Sequence, residues 1–187
     1  MKTKKQLRIL YQNKRDKLSI NKIHNLSIAL SNKCLEIPIW NFENFHIFLT
    51  ILTKKEIDTS MLLSVIMAKD KQAIIPRIVN SKKLEHVLLT DQTILKNNVL
   101  EIPEPQNGII ISPKIIDVVF VPLYIFDLNG NRVGYGKGYY DRFLKECKKN
   151  IIKVGISLFE PVTLIREIKE HDVKLDYAVT PNSFFSF

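Results

Sequence analysis

Seventeen consecutive residues in the second half of the chain carry most of its visible chemistry: Phe126-Asp127-Leu128-Asn129-Gly130-Asn131-Arg132-Val133-Gly134-Tyr135-Gly136-Lys137-Gly138-Tyr139-Tyr140-Asp141-Arg142. Asn129-Gly130 is a tight-turn dipeptide. Gly134, Gly136 and Gly138 alternate, so the backbone can take positive φ and turn several N–H groups toward a close anion. Arg132 and Lys137 bracket the loop with positive charge. The helix expected to follow, from about Tyr139 to Lys149, adds an N-terminal dipole and free donors that suit a phosphate. Asp141 falls in its first turn, placed either to cap the helix or to hold a cation beside the phosphate. Arg142 is expected to point along the helix, past the loop.

Neither standard phosphate motif fits. A Walker A loop needs Ser or Thr after its Gly-Lys pair, and Gly138 stands there; the dinucleotide fingerprint needs two residues before its third glycine, and here there is one. The segment is a phosphate loop of another kind, or a flexible turn with a helix cap. His24, His46, His86 and His171 lack paired ligand spacing, so no zinc site is expected. No G-x-S-x-G and no evident Cys–His pair is present. Cys34 and Cys147 stand 113 residues apart, which excludes a disulfide-dense scaffold. Cys147 shares a helix face with Phe143 and Leu144 and reads as packing. Trp40, between two apolar segments, reads as core. Glu56 taken alone is a solvent-exposed acid or a helix-approach residue.

The net charge of +9 is concentrated. Lys2, Lys4, Lys5, Arg8, Lys14, Arg15 and Lys17 are seven positives in the first seventeen residues against one acid, Asp16, which leaves +3 for the other 170 residues. Such a patch favours phosphates, polycarboxylates or nucleic acid, or is simply a solvated helix face. The longest apolar stretch, Ile115 to Phe126, is twelve residues with Asp117 and Pro122 inside it, too short to span a bilayer. No unbroken apolar run follows the basic N-terminus, so no signal peptide and no membrane partner are expected. The expectation is a soluble, reduced, cytoplasmic monomer.

Stepwise elements must position these groups. Residues 3–17 predict a helix carrying Leu7, Leu10 and Tyr11, and Ser19 or Asn21 caps a second with Ile23, Leu26 and Leu30 on one face. Phe45 to Leu49 predicts a strand, and Thr59 or Ser60 caps a helix through Ala68. Ala73 to Ile75 predicts a strand stopped by Pro76. Leu84 to Leu89 predicts another, with Pro103, Pro105 and Gly108 enforcing loop inside the irregular stretch 80–112. Val118 to Val121 reads as a central strand, apolar on both faces. A strand at Lys153 to Ser157, a helix around Val162 to Lys169 and a short strand at Tyr177 to Val179 follow. This alternation predicts an α/β fold: a single three-layer domain over residues 1–187, with a largely parallel sheet flanked by helices. Ligands in such folds sit at the carboxyl ends of the strands.

Val121-Pro122, Phe126-Asp127 and the run Gly130 to Leu144 together resemble the 5-formyltetrahydrofolate cyclo-ligase (5,10-methenyltetrahydrofolate synthetase) family. Lys4-Lys5-Gln6-Leu7-Arg8 resembles the family's opening basic helix, which contacts ATP, and Glu56-Ile57-Asp58-Thr59 its glutamate motif at the folate site. Pro76-Arg77 and Glu104-Pro105 sit where the family has similar pairs. His171 to Asp176 resembles the segment that supplies a second acidic metal ligand. Two features depart from the family pattern: Pro161 stands where glutamine is frequent, and the stretch between Leu49 and Glu56 is longer.

The resemblance implies ATP- and Mg²⁺-dependent cyclisation of 5-formyltetrahydrofolate to 5,10-methenyltetrahydrofolate, with ADP and phosphate released. It implies Lys137 and Arg132 as catalytic residues. ATP would be held by Lys4, Lys5, Gln6, Leu7 and Arg8 and by Arg132, Val133, Gly134, Tyr135, Gly136, Lys137, Gly138, Tyr139 and Tyr140. The folate would meet Glu56 and Tyr135, Gly136, Lys137, Gly138 and Tyr139, and Asp141 and Asp172 would share Mg²⁺. The competing readings are a nucleic-acid-binding module using the basic helix with Tyr139-Tyr140, and a sugar-phosphate-binding protein. No RRM, KH or helix-turn-helix pattern supports the former, so no nucleic-acid partner is expected.

Overall fold

Thr3 caps the first helix, α1 (Lys4–Asp16): its hydroxyl accepts from the Gln6 amide while the Gln6 side chain accepts from the Thr3 amide. Ser19 caps α2 (Ile20–Cys34) through the Lys22 amide. The helices α3 (Ser60–Ala68) and α4 (Tyr139–Glu146) follow. The structure, a computed structural model, describes residues 1–98 and 101–187. Residues 99 and 100, part of the stretch expected to be irregular, lie outside the described residues.

Seven strands form the main sheet: β1 (Asn44–His46), β2 (Gln72–Ile78), β3 (Leu84–Leu88), β4 (Val118–Pro122), β5 (Ile152–Ile156), β6 (Tyr177–Val179) and β7 (Phe184–Ser186). Their order is β7-β6-β5-β4-β1-β2-β3, parallel from β6 to β2 and antiparallel at the two edges. The strand expected to be central, β4, is the middle one. Its side chains alternate between two cores. Val118 and Phe120 pack with Leu30 and Cys34 of α2 and Leu62 and Ile66 of α3, while Val119 and Val121 pack with Phe143 and Leu144 of α4. Helices on both faces of a largely parallel sheet give the three-layer α/β architecture that the pattern of elements predicts. A third cluster sets Leu7 and Tyr11 of α1 against Tyr124, Ile125, Val133 and Ile165. That cluster seats the basic helix beside the hairpin formed by Ile125–Phe126 and Arg132–Val133.

Three expectations are corrected. Pro76 does not end its strand, because β2 runs to Ile78. Pro76 pairs with His86, whose carbonyl turns away to accept from the Ile111 amide, and pairing with β1 has already ended at Ile74. The missing N–H therefore costs no bond to β3, and the β1 ladder stops after the Ile47 amide donates to the Ile74 carbonyl, where Pro76 cannot donate the next bond. The stretch 103–105 is not loop but an edge strand, antiparallel to Leu95–Asn97. The stretch 162–169 is not a helix. The Val162 amide donates to the Phe126 carbonyl, the Ile165 amide to the Asp127 carboxylate, and Ile165–Arg166 pairs in parallel with Lys2–Thr3. Asp127 is fully buried and needs donors, so it takes amides that a helix would have kept.

Candidate active site

The carboxyl ends of β1, β2 and β4 open onto one cleft of about 970 Å³. Eight lysines and arginines line it against five acids, a balance that favours a polyanion. Its walls come from α1, the 48–56 segment, the end of β2, residues 101–104, the glycine loop, the start of α4 and residues 169–173.

The glycine loop is built by its hairpin. Asp127 accepts from the Asn129 and Asn131 amides and the Asn131 side chain, closing the turn, with Gly130 at φ 77°. Gly136 and Gly138 both take positive φ, 89° and 70°. A Cβ at Gly136 would stand 3.1 Å from the Arg8 guanidinium carbon. Arg8 Nε donates to the Gly134 carbonyl at 2.8 Å, so α1 is tied directly to the loop. The Lys137 side chain is exposed, and its ammonium has no ion pair or hydrogen bond among the described residues. Arg142 does not point past the loop as expected. It folds back, donating to the carbonyls of Lys137 at 3.0 Å and Lys82 at 2.6 Å, and so fastens the loop to the 80–82 turn.

Asp141 and the segment around Asp172 meet at this end of the cleft. Asp141 caps nothing: its Oδ1 accepts from Arg132 Nη2 at 2.7 Å and from the Val173 amide at 3.3 Å. Asp172 Oδ2 accepts from Lys4 Nζ at 2.5 Å and from the Lys169 amide at 2.6 Å. Partial burial pushes the Asp172 carboxyl up, but the Lys4 and Lys169 hydrogen bonds and the charges of Lys4 and His171 outweigh it, and the net shift is downward. Each aspartate thus keeps one oxygen without a hydrogen-bond partner among the described residues, two hard donors of the kind Mg²⁺ takes. Among the described residues no group of three His, Cys, Asp or Glu could hold a metal. Arg132 is buried, and its second terminal nitrogen donates to the Val173 carbonyl, so it joins the loop, Asp141 and the 172–173 segment.

At the other end of the cleft Glu56 is buried, not solvent-facing. Its Oε2 accepts from the Ile51 amide at 2.7 Å and its Oε1 from the Tyr135 hydroxyl. Burial pushes its carboxyl up, opposed by those two hydrogen bonds and by the charge of Arg15. The extra length before Glu56 is taken up by a 3₁₀ turn at Leu52–Lys54, closed by Lys55 in the left-handed region. Tyr140 lines the cleft with its hydroxyl buried and without a hydrogen-bond partner among the described residues.

Of the residues expected to contact ATP, Lys4, Arg8, Arg132, Gly134, Tyr135, Gly136, Lys137, Gly138, Tyr139 and Tyr140 line the cleft. Lys5, Gln6, Leu7 and Val133 do not. Lys5 is exposed, Gln6 completes the helix cap, and Leu7 and Val133 are buried in the third cluster. Glu56, Asp141 and Asp172 all line it. Trp40 is core, stacked on Phe45 at 5.3 Å, and the partly buried Cys147 thiol, pushed up to about 12 chiefly by burial, fits packing. Sequence reasoning missed Arg142 and Arg15, the latter buried beside Glu56. A basic residue at helical spacing gives no sign of which way it turns.

A largely parallel sheet with a basic, glycine-rich cleft at its carboxyl edge defines an α/β protein whose cleft suits an anionic ligand. Residues 1–181 match the 5-formyltetrahydrofolate cyclo-ligase family, so the chain belongs to that family and with it to the ligases. It is 34% identical to a probable 5-formyltetrahydrofolate cyclo-ligase of Schizosaccharomyces pombe, over 95% of each chain. It is 29% identical to the 5-formyltetrahydrofolate cyclo-ligase of Mus musculus, over 76% of this chain and 75% of that one. The NMR structure of the 5,10-methenyltetrahydrofolate synthetase of Aquifex aeolicus superposes with a TM-score of 0.78 at 28% identity, covering 98% of this chain and 92% of the other.

Proposed function

We propose that residues 1–187 act as one domain that closes 5-formyltetrahydrofolate to 5,10-methenyltetrahydrofolate, consuming ATP and releasing ADP and phosphate. The observation that carries this reading is that one cleft joins a cationic glycine loop at one end to a buried carboxylate at the other, within a chain of the cyclo-ligase family. A formyl oxygen is a poor leaving group. Moving the γ-phosphoryl group of ATP onto it, with ADP departing, makes a good one. The folate's side-arm nitrogen then attacks the formyl carbon, its proton passes to solvent, and phosphate leaves with the oxygen.

Phosphoryl transfer asks a protein mainly for positioning and charge neutralisation. The free ammonium of Lys137 meets the phosphate, and Lys4 and Arg8 from α1 close over it. Arg132 acts mainly through Asp141, which it holds in place. Asp141 and Asp172, each with one unengaged oxygen, would hold Mg²⁺, which neutralises phosphate charge. Glu56 accepts hydrogen bonds from the folate. The test is incubation with 5-formyltetrahydrofolate, ATP and Mg²⁺, following the conjugated methenyl product by absorbance and ADP by chromatography. Equal product formation without ATP overturns the reading.

A further inference from the structure

Arg15 stands in the last turn of α1, where a basic residue ordinarily faces water and complements the helix dipole. Here it is 4% exposed. Its guanidinium lies over the Tyr124 ring at 4.5 Å, and no carboxylate pairs with it directly among the described residues. Nη2 donates to the Leu123 carbonyl at 2.9 Å and Nη1 to the Tyr135 hydroxyl at 3.0 Å. A guanidinium cannot accept, so the tyrosine oxygen must be the acceptor there, and its own proton is directed to Glu56 Oε1. The order Arg15 to Tyr135 to Glu56 is thereby fixed in one direction. The Ile51 amide holds Oε2 from the other side. A carboxylate offers about four acceptor positions, so each oxygen keeps one for a ligand.

A second observation places Arg15 against the same carboxylate. A cavity of about 10 Å³ is bordered by Arg15, Glu56, Phe48, Ile57, Leu123 and Leu158. That is about the volume one water occupies. Arg15 Nε, buried and without an acceptor among the described residues, is the donor such a water would take.

We propose that Arg15 is a positioning residue for the folate end of the cleft: through the Tyr135 hydroxyl it holds Glu56 as an acceptor facing the substrate. The inference rests on the reading of the Glu56 end as the folate subsite. The charged and titratable groups facing Glu56 are Arg15 from α1, Tyr124, Tyr135 and, from α4, Tyr140. Arg15 is the cation of this set. Burial pushes the Glu56 carboxyl up while Tyr135, the Ile51 amide and Arg15 pull it back, so removing Arg15 leaves burial less opposed.

The experiment follows the ¹³C signal of the Glu56 carboxyl across pH in the whole protein, beside calorimetric binding of 5-formyltetrahydrofolate and of ATP. Arg15→Met should move the Glu56 titration upward, with Arg15→Lys in between. Folate affinity at neutral pH should fall roughly ten-fold or more in Arg15→Met, as loss of a hydrogen bond to a charged group does. It should recover as the pH is raised, with ATP affinity unchanged. A Glu56 titration identical to wild type in Arg15→Met, or equal losses for ATP and folate, overturns the proposal. Should Arg15→Met not fold, Tyr135→Phe cuts the same link and must move the Glu56 signal in the same direction, or the proposal fails. A wild-type protein that binds no 5-formyltetrahydrofolate sinks the folate reading instead, while the carboxyl titration still decides whether Arg15 governs Glu56.

Discussion

Lys137 is the exposed cation of the glycine loop and makes no side-chain hydrogen bond among the described residues, so its removal disturbs no internal contact. Lys137→Gln should leave the melting temperature unchanged and cost about 2–4 kcal/mol of transition-state stabilisation, read as kcat/KM. Near-wild-type turnover would remove Lys137 from the site. Asp141 and Asp172 differ from it because each already holds a cation of the protein, Arg132 and Lys4 respectively. If they share Mg²⁺, Asp141→Asn and Asp172→Asn should each raise the Mg²⁺ concentration needed for half-maximal rate. The double variant should be less than additive, since the first loss already spoils the shared site. Strict additivity counts against sharing.

At the scale of elements, α1 does more than cover a core. Leu7 and Tyr11 bury one side of it, while Lys4, Arg8 and Arg15 reach Asp172, the glycine loop and Tyr135 along its length. Deleting residues 1–8 cannot isolate nucleotide contacts, because Lys2–Thr3 also pairs with Ile165–Arg166. Arg8→Gln is the cleaner change. It loosens one bond to the Gly134 carbonyl and should weaken ATP binding roughly ten-fold, the value of about 1.4 kcal/mol, with folate binding little changed. Calorimetry with each ligand separates the two, and equal losses would make α1 a scaffold for the whole cleft.

Across the whole molecule, two histidines buried between the sheet and α4 should make stability fall in acid. His46 and His86 are buried together, ring centroids 5.1 Å apart, with His86 stacked on Phe143 at 4.0 Å. Burial holds His86 down at about 4, against the opposing charge of Glu85, and holds His46 well below its ordinary value, helped by His86. Both folded values lie below the unfolded one. Their contribution is therefore complete above pH ~6.5 and is lost as the pH falls through the folded values, at up to about 1.4 kcal/mol per pH unit for each histidine. Urea unfolding between pH 7.5 and 4.5 should show stability falling with pH, and His86→Phe should flatten that slope. An unchanged slope would place the acid sensitivity elsewhere.

What the sequence determined by itself follows from period and from backbone chemistry. Val118 to Val121, apolar at every position, reads as a strand covered on both faces, and β4 is the centre of the sheet. Alternating glycines just ahead of a helix predict a loop with positive φ, because glycine conformational freedom is a local property, and Gly136 and Gly138 adopt it. The prolines misled only where a partner strand decides the outcome: Pro76 is harmless because its neighbour's hydrogen bonds point elsewhere. The apolar spacing of 162–169 lost to the buried Asp127, a long-range demand that no local pattern displays. The direction of each side chain was also a tertiary decision. Seven cations near the N-terminus look alike in sequence, yet Arg15 is buried beneath the cleft and Lys5 faces water, because only the packed hairpin and sheet supply the acceptors that make burying a guanidinium tolerable.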